Sequence, residues 1–204
     1  MKYALLTAAT IACLVAPAEG ASLSKSYSYF SIRGKTLEDI ENQFSQRGPH
    51  VSKSGLRHPG ATRMQFTTNL TYAQGKDFCQ IVDARTTLNA KVILPRWQRP
   101  RKVEADVRLI WDTLSADIKR HEESHVVIAK NYAAELEKSL KAMGRQKNCQ
   151  VAAAKAKEIT ARVLAQHDRA QADFDRVEGK NFESRILRLL KYRLEQIKDG
   201  RIPG

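Results

Sequence analysis

The chain has 204 residues, 42% of them hydrophobic and 28% charged, a balance that fits one folded domain with an extension and excludes a disordered chain or a multi-span membrane protein. Lys and Arg outnumber Asp and Glu by 35 to 22, giving a formal net charge of +13. That surplus suits an anionic partner such as an envelope surface. No zinc-finger or helix-turn-helix pattern accompanies it, so nucleic acid is not an expected partner.

Residues 1–20 have the three-part layout of a secretory leader. Lys2 opens it, Ala4 to Val15 form its apolar run, and Ala16, Ala18 and Gly20 offer small-residue cleavage sites. The run is too short to span a bilayer, and cleavage is expected near Ala18 or Gly20, placing the mature protein in the periplasm or outside the cell. Removal of residues 1–20 takes away both Lys2 and Glu19, so the net charge does not change. Cys13 leaves too, and the remaining pair, Cys79 and Cys149, is expected to form a disulfide worth roughly 3–4 kcal/mol in the chain-entropy picture.

The remainder divides into a domain over residues 21–181 and a basic C-terminal helix over 182–204. Ser26 to Ile32 alternates polar and apolar side chains and reads as a strand that ends at Gly34. Thr36-Leu37-Glu38-Asp39 has the spacing of a capping box, and Leu37, Ile40 and Phe44 define a short helix stopped by Gly48-Pro49. Met64, Phe66, Thr68, Leu70 and Tyr72 share one side of a second strand. A further strand region runs from Phe78 through Val82 and on to Leu88–Leu94, ending at Pro95, which together suggests a small antiparallel sheet. Beyond residue 104 the period becomes helical through Trp111, Leu114, Ile118, His125, Ala129, Tyr132, Leu136 and Met143, with Gly144 as a cap. A second long helix from about Cys149 to Val177 and a third from about Phe182 to Lys198 complete an α+β arrangement, a sheet packed against a helical hairpin.

The first helix of that hairpin carries His121-Glu122-Glu123-Ser124-His125, an HExxH run. On a helix, positions i and i+4 stand one turn apart on one face, so both imidazoles can reach one zinc ion. The intervening Glu122 then faces the metal and can take a proton from a water activated there, which makes His121 and His125 candidate ligands and Glu122 the candidate base.

In this order of motifs the chain resembles the bacterial DUF922 group, predicted secreted zinc-dependent proteases. The resemblance is carried by Ser31-Ile32-Arg33-Gly34, Arg47-Gly48-Pro49, Cys79, Ile93-Leu94-Pro95-Arg96-Trp97, Trp111, the HEESH helix and Cys149. It implies an exported α+β domain with zinc ligation and peptidase activity on a peptide or protein substrate of the cell envelope. The group's pattern continues with Tyr-Asp-x-x-Thr-x-His-Gly, whose histidine is a natural third ligand. This chain has Phe174-Asp175-Arg176-Val177-Glu178-Gly179-Lys180-Asn181, with Lys180 in the histidine's place.

A protonated lysine does not ligate zinc, so the third ligand must come from elsewhere. Glu135 is about 15 Å beyond His125 along the same helix and too far. Folding the chain about a turn near residue 146 sets residue 167 beside 125 and residue 171 beside 121, which makes His167 the first candidate and Glu178 the alternative. The competing expectation is an envelope binding or scaffold protein derived from such an enzyme, with no hydrolysis. The last helix, Arg185 to Leu194, is basic and amphipathic, suited to packing on the domain or to an anionic surface.

Overall fold

A computed structural model describes residues 20–50, 55 and 57–203, so the leader up to residue 19, with Cys13, lies outside the described residues. The order is β1 (Ser22–Ile32), α1 (Leu37–Arg47), β2 (Ala61–Gln74), β3 (Cys79–Trp97), α2 (Ala105–Lys141), α3 (Cys149–Lys180) and α4 (Phe182–Lys198). Three strands form a sheet in the order β1-β3-β2, and α2 lies across it with α3 alongside, the α+β arrangement expected. No helix among the described residues is long and apolar enough to cross a membrane.

The sheet is mixed, which corrects the expected antiparallel one. β2 and β3 form the antiparallel hairpin, but β1 joins the other side of β3 in parallel, from Ser22 opposite Thr87 to Ile32 opposite Trp97. Side-chain alternation has period two in either direction, so the pattern in β1 carried no information about its polarity.

The strand region expected from Phe78 to Pro95 is one 19-residue strand, β3. As far as Leu94 its buried positions run Cys79, Ile81, then Ala84, Thr86, Leu88, Ala90, Val92 and Leu94, changing from odd to even numbers. The change falls at a bulge, where Thr71 pairs with Asp83 and Tyr72 with Ile81. Val82 is left over and 51% exposed. Pro95 does not end the strand. It lies beyond the last β2 partner, Ala61 opposite Ile93, where β3 has a neighbour on one side only and a missing N–H is tolerated.

Helix starts follow their sequence signals. The Thr36 hydroxyl accepts from Asp39 N (3.1 Å), and Asp39 Oδ2 accepts from Thr36 N (3.1 Å) and Lys35 N (2.8 Å), bonds that hold the Asp39 carboxyl below its ordinary pKa. Gly34 turns the chain into this cap at φ +136, where a Cβ would collide with Asp39 Cβ at 2.3 Å. Asn148 caps α3 by accepting from Val151 N (2.9 Å).

The core runs the length of α2. Trp111 packs with Trp97, Ile32 and Ile40 at one end; Ile118 and Val126 meet Val92 and Leu94 in the middle. At the far end Leu136 and Leu140 meet Ile81, Ala84 and the α3 residues Ala152, Ala156, Ile159 and Val163. The small alanines on α3 allow the two helices to approach closely.

That far end is braced covalently. Cys79 and Cys149 are bonded, their Cα atoms 5.0 Å apart and 70 positions apart in the chain. Beside them Gln146 and Cys79 exchange two backbone hydrogen bonds of 2.8 Å. Replacing both cysteines by serine should lower unfolding stability by about 4 kcal/mol, from the closure entropy of so long a loop. Urea unfolding of the oxidised protein and the variant measures this directly, and an unchanged midpoint would contradict it.

Candidate metal centre

α2 turns its sheet-facing side, Ile118, Glu122, Val126 and Ala129, into the interior. His121 and His125 lie at the border of that stripe and project toward α3, with 27% and 12% of their side chains exposed. Their Nε2 atoms are 3.1 Å apart. Asp175 of α3 completes the group: its Oδ1 is 3.4 Å from His121 Nε2 and 3.0 Å from His125 Nε2. These are the residues able to hold a metal ion among those described.

Neither expected third ligand occupies this position. His167 lies about two turns back along α3 from Asp175, 6% exposed, with its ring against Phe66 (5.1 Å) and Tyr132 (5.8 Å). Glu178 stands behind His121, its Oε2 3.6 Å from Nδ1. Lys180 is exposed at the end of α3. The error came from the hairpin register. The chain after Lys141 runs on past the end of α2 to pair Gln146 with Cys79 before turning back. α3 is therefore displaced by about one helical turn, 5.4 Å, from a symmetrical fold about residue 146. Gln171 then faces His125, and Asp175 faces both histidines. Asp175 stood in the quoted run beside Phe174, but nothing short of that register singled it out.

Hydrogen bonds fix which imidazole nitrogens carry protons. Gln171 Nε2 donates to the His125 carbonyl (3.0 Å), which turns its Oε1 toward His125 Nδ1 at 2.6 Å. An amide oxygen only accepts, so His125 Nδ1 holds the hydrogen and its Nε2 presents a lone pair. Gln171 is steadied in turn by His167, whose Nε2 is 2.9 Å from the amide nitrogen. His121 Nδ1 faces the Glu178 carboxylate at 3.6 Å, longer than a hydrogen bond, and the negative charge there favours the proton on Nδ1 and leaves Nε2 toward the cluster. Two lone pairs and a carboxylate oxygen thus converge with no donor among them, an arrangement that calls for a proton or a cation.

The electrostatics agree. Burial alone would lower the pKa of His125, but hydrogen bonds to Asp175 and Gln171 and the charges of Asp175 and Glu122 raise it above the ordinary histidine value. Partial burial would raise Asp175, yet the two imidazoles hold its carboxyl well below the usual carboxylate range. The donor chemistry fits a divalent metal: two imidazoles and a carboxylate, spaced 3.0–3.4 Å. Ligands about 2.0–2.1 Å from zinc at tetrahedral angles stand about 3.3 Å from each other. Phe174 walls the site, stacked 5.0 Å from His121 and edge-on 5.1 Å from His125, while Asp175 is 55% exposed and marks the side open to solvent.

Glu122 belongs to the same centre from the sheet side. It is 6% exposed, and Thr62 of β2 donates to its Oε2 at 2.8 Å. Burial raises its pKa; the Thr62 bond and the two histidines offset part of that rise, and the Asp175 charge adds to it. Gly60 makes room for this carboxyl, since a Cβ there would come within 2.8 Å of Glu122 Oε1 and 2.9 Å of Ile118 Cγ2. Gly60→Ala should cost about 1–3 kcal/mol, as for other overpacked interiors. Denaturant unfolding checks it, and wild-type stability would show that the loop yields freely.

No curated protein and no solved structure matches the chain at a significant level. A family of bacterial proteins of unknown function, DUF922, matches residues 27–182, from within β1 to the first residue of α4 and with the His121–His125–Asp175 cluster inside. The chain belongs to the DUF922 family.

Proposed function

We propose that this protein is an exported zinc-dependent metallopeptidase acting on peptide or protein substrates of the cell envelope. The observation that carries the reading is the convergence of His121 Nε2, His125 Nε2 and Asp175 Oδ1 beside the buried carboxyl of Glu122. Two imidazoles and one carboxylate are a donor set of the catalytic zinc type, which leaves a coordination position open, unlike the four closed protein ligands of structural sites. Zinc held there supplies Lewis-acid polarisation of a carbonyl and acidifies a water to a pKa of about 7.

The chain's own residues account for the rest. His121, His125 and Asp175 would hold the ion, with Gln171 and Glu178 fixing the two rings from behind. Glu122 accepts and returns a proton at its carboxylate. Its burial moves the pKa upward, toward the range where a carboxyl can do both near neutral pH. Thr62 restrains the same carboxyl so that it cannot rotate away. The exposed flank at Asp175 gives substrate a way in. Export is proposed from the leader-like residues 1–20 and agrees with a Cys79–Cys149 disulfide.

Metal analysis of the purified protein is the first test, with one zinc per chain expected and lost in His121→Ala. A protein that takes up no zinc would sink the proposal. Glu122→Gln should keep the metal and lower peptide hydrolysis by about 100- to 10,000-fold. Zinc binding without hydrolysis in the wild type would instead support a metal-holding envelope protein that is not a peptidase.

Acid should release the metal by protonating its ligands. Because the His125 pKa is raised, its protonated form persists to higher pH than in an ordinary histidine. Zinc affinity should therefore begin to fall, on lowering the pH, already above about 6.5. Competition with a chelator across pH 5–8 measures the curve, and an affinity that holds steady to below pH 6 would contradict the assignment.

A further inference from the structure

Two carboxylates on α3 lie near His121, and only one joins the donor group. Asp175 Oδ1 is 3.4 Å from Nε2, and Glu178 Oε2 is 3.6 Å from Nδ1. Their other partners differ. Asp175 is half exposed and, among the described residues, pairs with the two imidazoles. Glu178 is engaged by cations: Arg120 donates to its Oε2, Arg185 Nη2 is 3.4 Å from that oxygen, and Arg185 Nη1 donates to its carbonyl at 3.2 Å.

Arg185 comes from α4, beyond the residues that match the family. Its guanidinium is 12% exposed and also grips Asp117 of α2, with Nε 3.1 Å from Oδ1 and Nη2 3.2 Å from Oδ2. Asp117 is 4% exposed, and its remaining cation is Arg120 Nε at 2.9 Å. Two guanidinium groups thus serve two carboxylates. If Arg185 is removed, Arg120 alone must serve both, and the more deeply buried Asp117 has the stronger claim because an unpaired buried charge is costly. Glu178 would then be released from its place behind His121.

We infer that Arg185 is a positioning residue: it holds Glu178 behind His121 and out of the donor group, so that a helix beyond the family match determines which carboxylate reaches the metal. The inference rests on the metal reading above. It also gives α4 a task inside the site, although no side chain of that helix is fully buried and Leu187 is 60% exposed.

The test is Zn²⁺ affinity of the full chain, measured by competition with a chromophoric chelator for wild type, Arg185→Ala, Glu178→Gln and the double variant. Arg185→Ala and Glu178→Gln should each weaken binding by about 10- to 100-fold, as expected for lost outer partners of a ligating histidine. The double variant should be no worse than the weaker single, because both act through one contact. Arg185→Lys, which keeps the charge without the fork, should fall between, and Arg188→Ala, an exposed position on the same helix, should match wild type. The visible spectrum of the Co²⁺-loaded protein should change in Arg185→Ala and not in Arg188→Ala. Wild-type zinc affinity in Arg185→Ala, or effects that multiply in the double variant, would overturn the inference while leaving the metal centre standing. Should Arg185→Ala fail to fold, Arg185→Lys and Glu178→Gln decide it alone: unchanged affinity in both is equally fatal. A wild-type chain that binds no Zn²⁺ removes the metal reading itself, and this inference with it.

Discussion

The register between α2 and α3 is the constraint on which the centre depends. Two histidines one turn apart on α2 can share a cation only with whatever α3 presents opposite them. That choice is fixed far from the site, where Gln146 pairs with Cys79 and Cys149 is bonded to it. Leu136, Leu140, Ala156 and Ile159 then carry the alignment along the helices by packing. Helix surfaces interlock in ridges, so a slip between them would be quantised in turns rather than graded. One turn in the wrong direction exchanges a carboxylate at this centre for the amide of Gln171.

Around the donor atoms, each element supplies something the others cannot. α2 provides the imidazoles, α3 the carboxylate together with the partners of both Nδ1 atoms, and β2 the hydroxyl that restrains Glu122. α4 adds a guanidinium from outside the family's span. The outcome is a cluster whose converging atoms are all acceptors and whose donors point outward. Such polarity is what distinguishes a cation site from an ordinary buried hydrogen-bond network, in which donors and acceptors alternate.

Much of this was legible in the sequence, for identifiable reasons. Local signals gave local facts: the capping box at Thr36–Asp39, the helical period of α2, and the i, i+4 spacing of His121 and His125. What was hidden depended on chain path. The parallel pairing of β1 leaves no mark on alternation, and the bulge at Val82 interrupts the period of β3. Asp175 was in view, but its role rested on the length of chain spent reaching Cys79 before α3 begins, which no residue pattern encodes. His167 was singled out by a register one turn off, and it meets the cluster through Gln171 instead of joining its donor atoms.

The bulge at Val82 has a consequence for how the molecule holds together. Upstream of it the strand buries odd-numbered residues, and from Ala84 to Leu94 even-numbered ones, so this single extra residue acts as a phase shifter within β3. Were the strand perfectly regular, Cys79 would emerge on the opposite surface of the sheet from α3, and its sulfur would have nothing to bond. An irregularity in the hairpin is thus what allows the cross-link to form, and a histidine centre many residues away inherits its alignment from that defect.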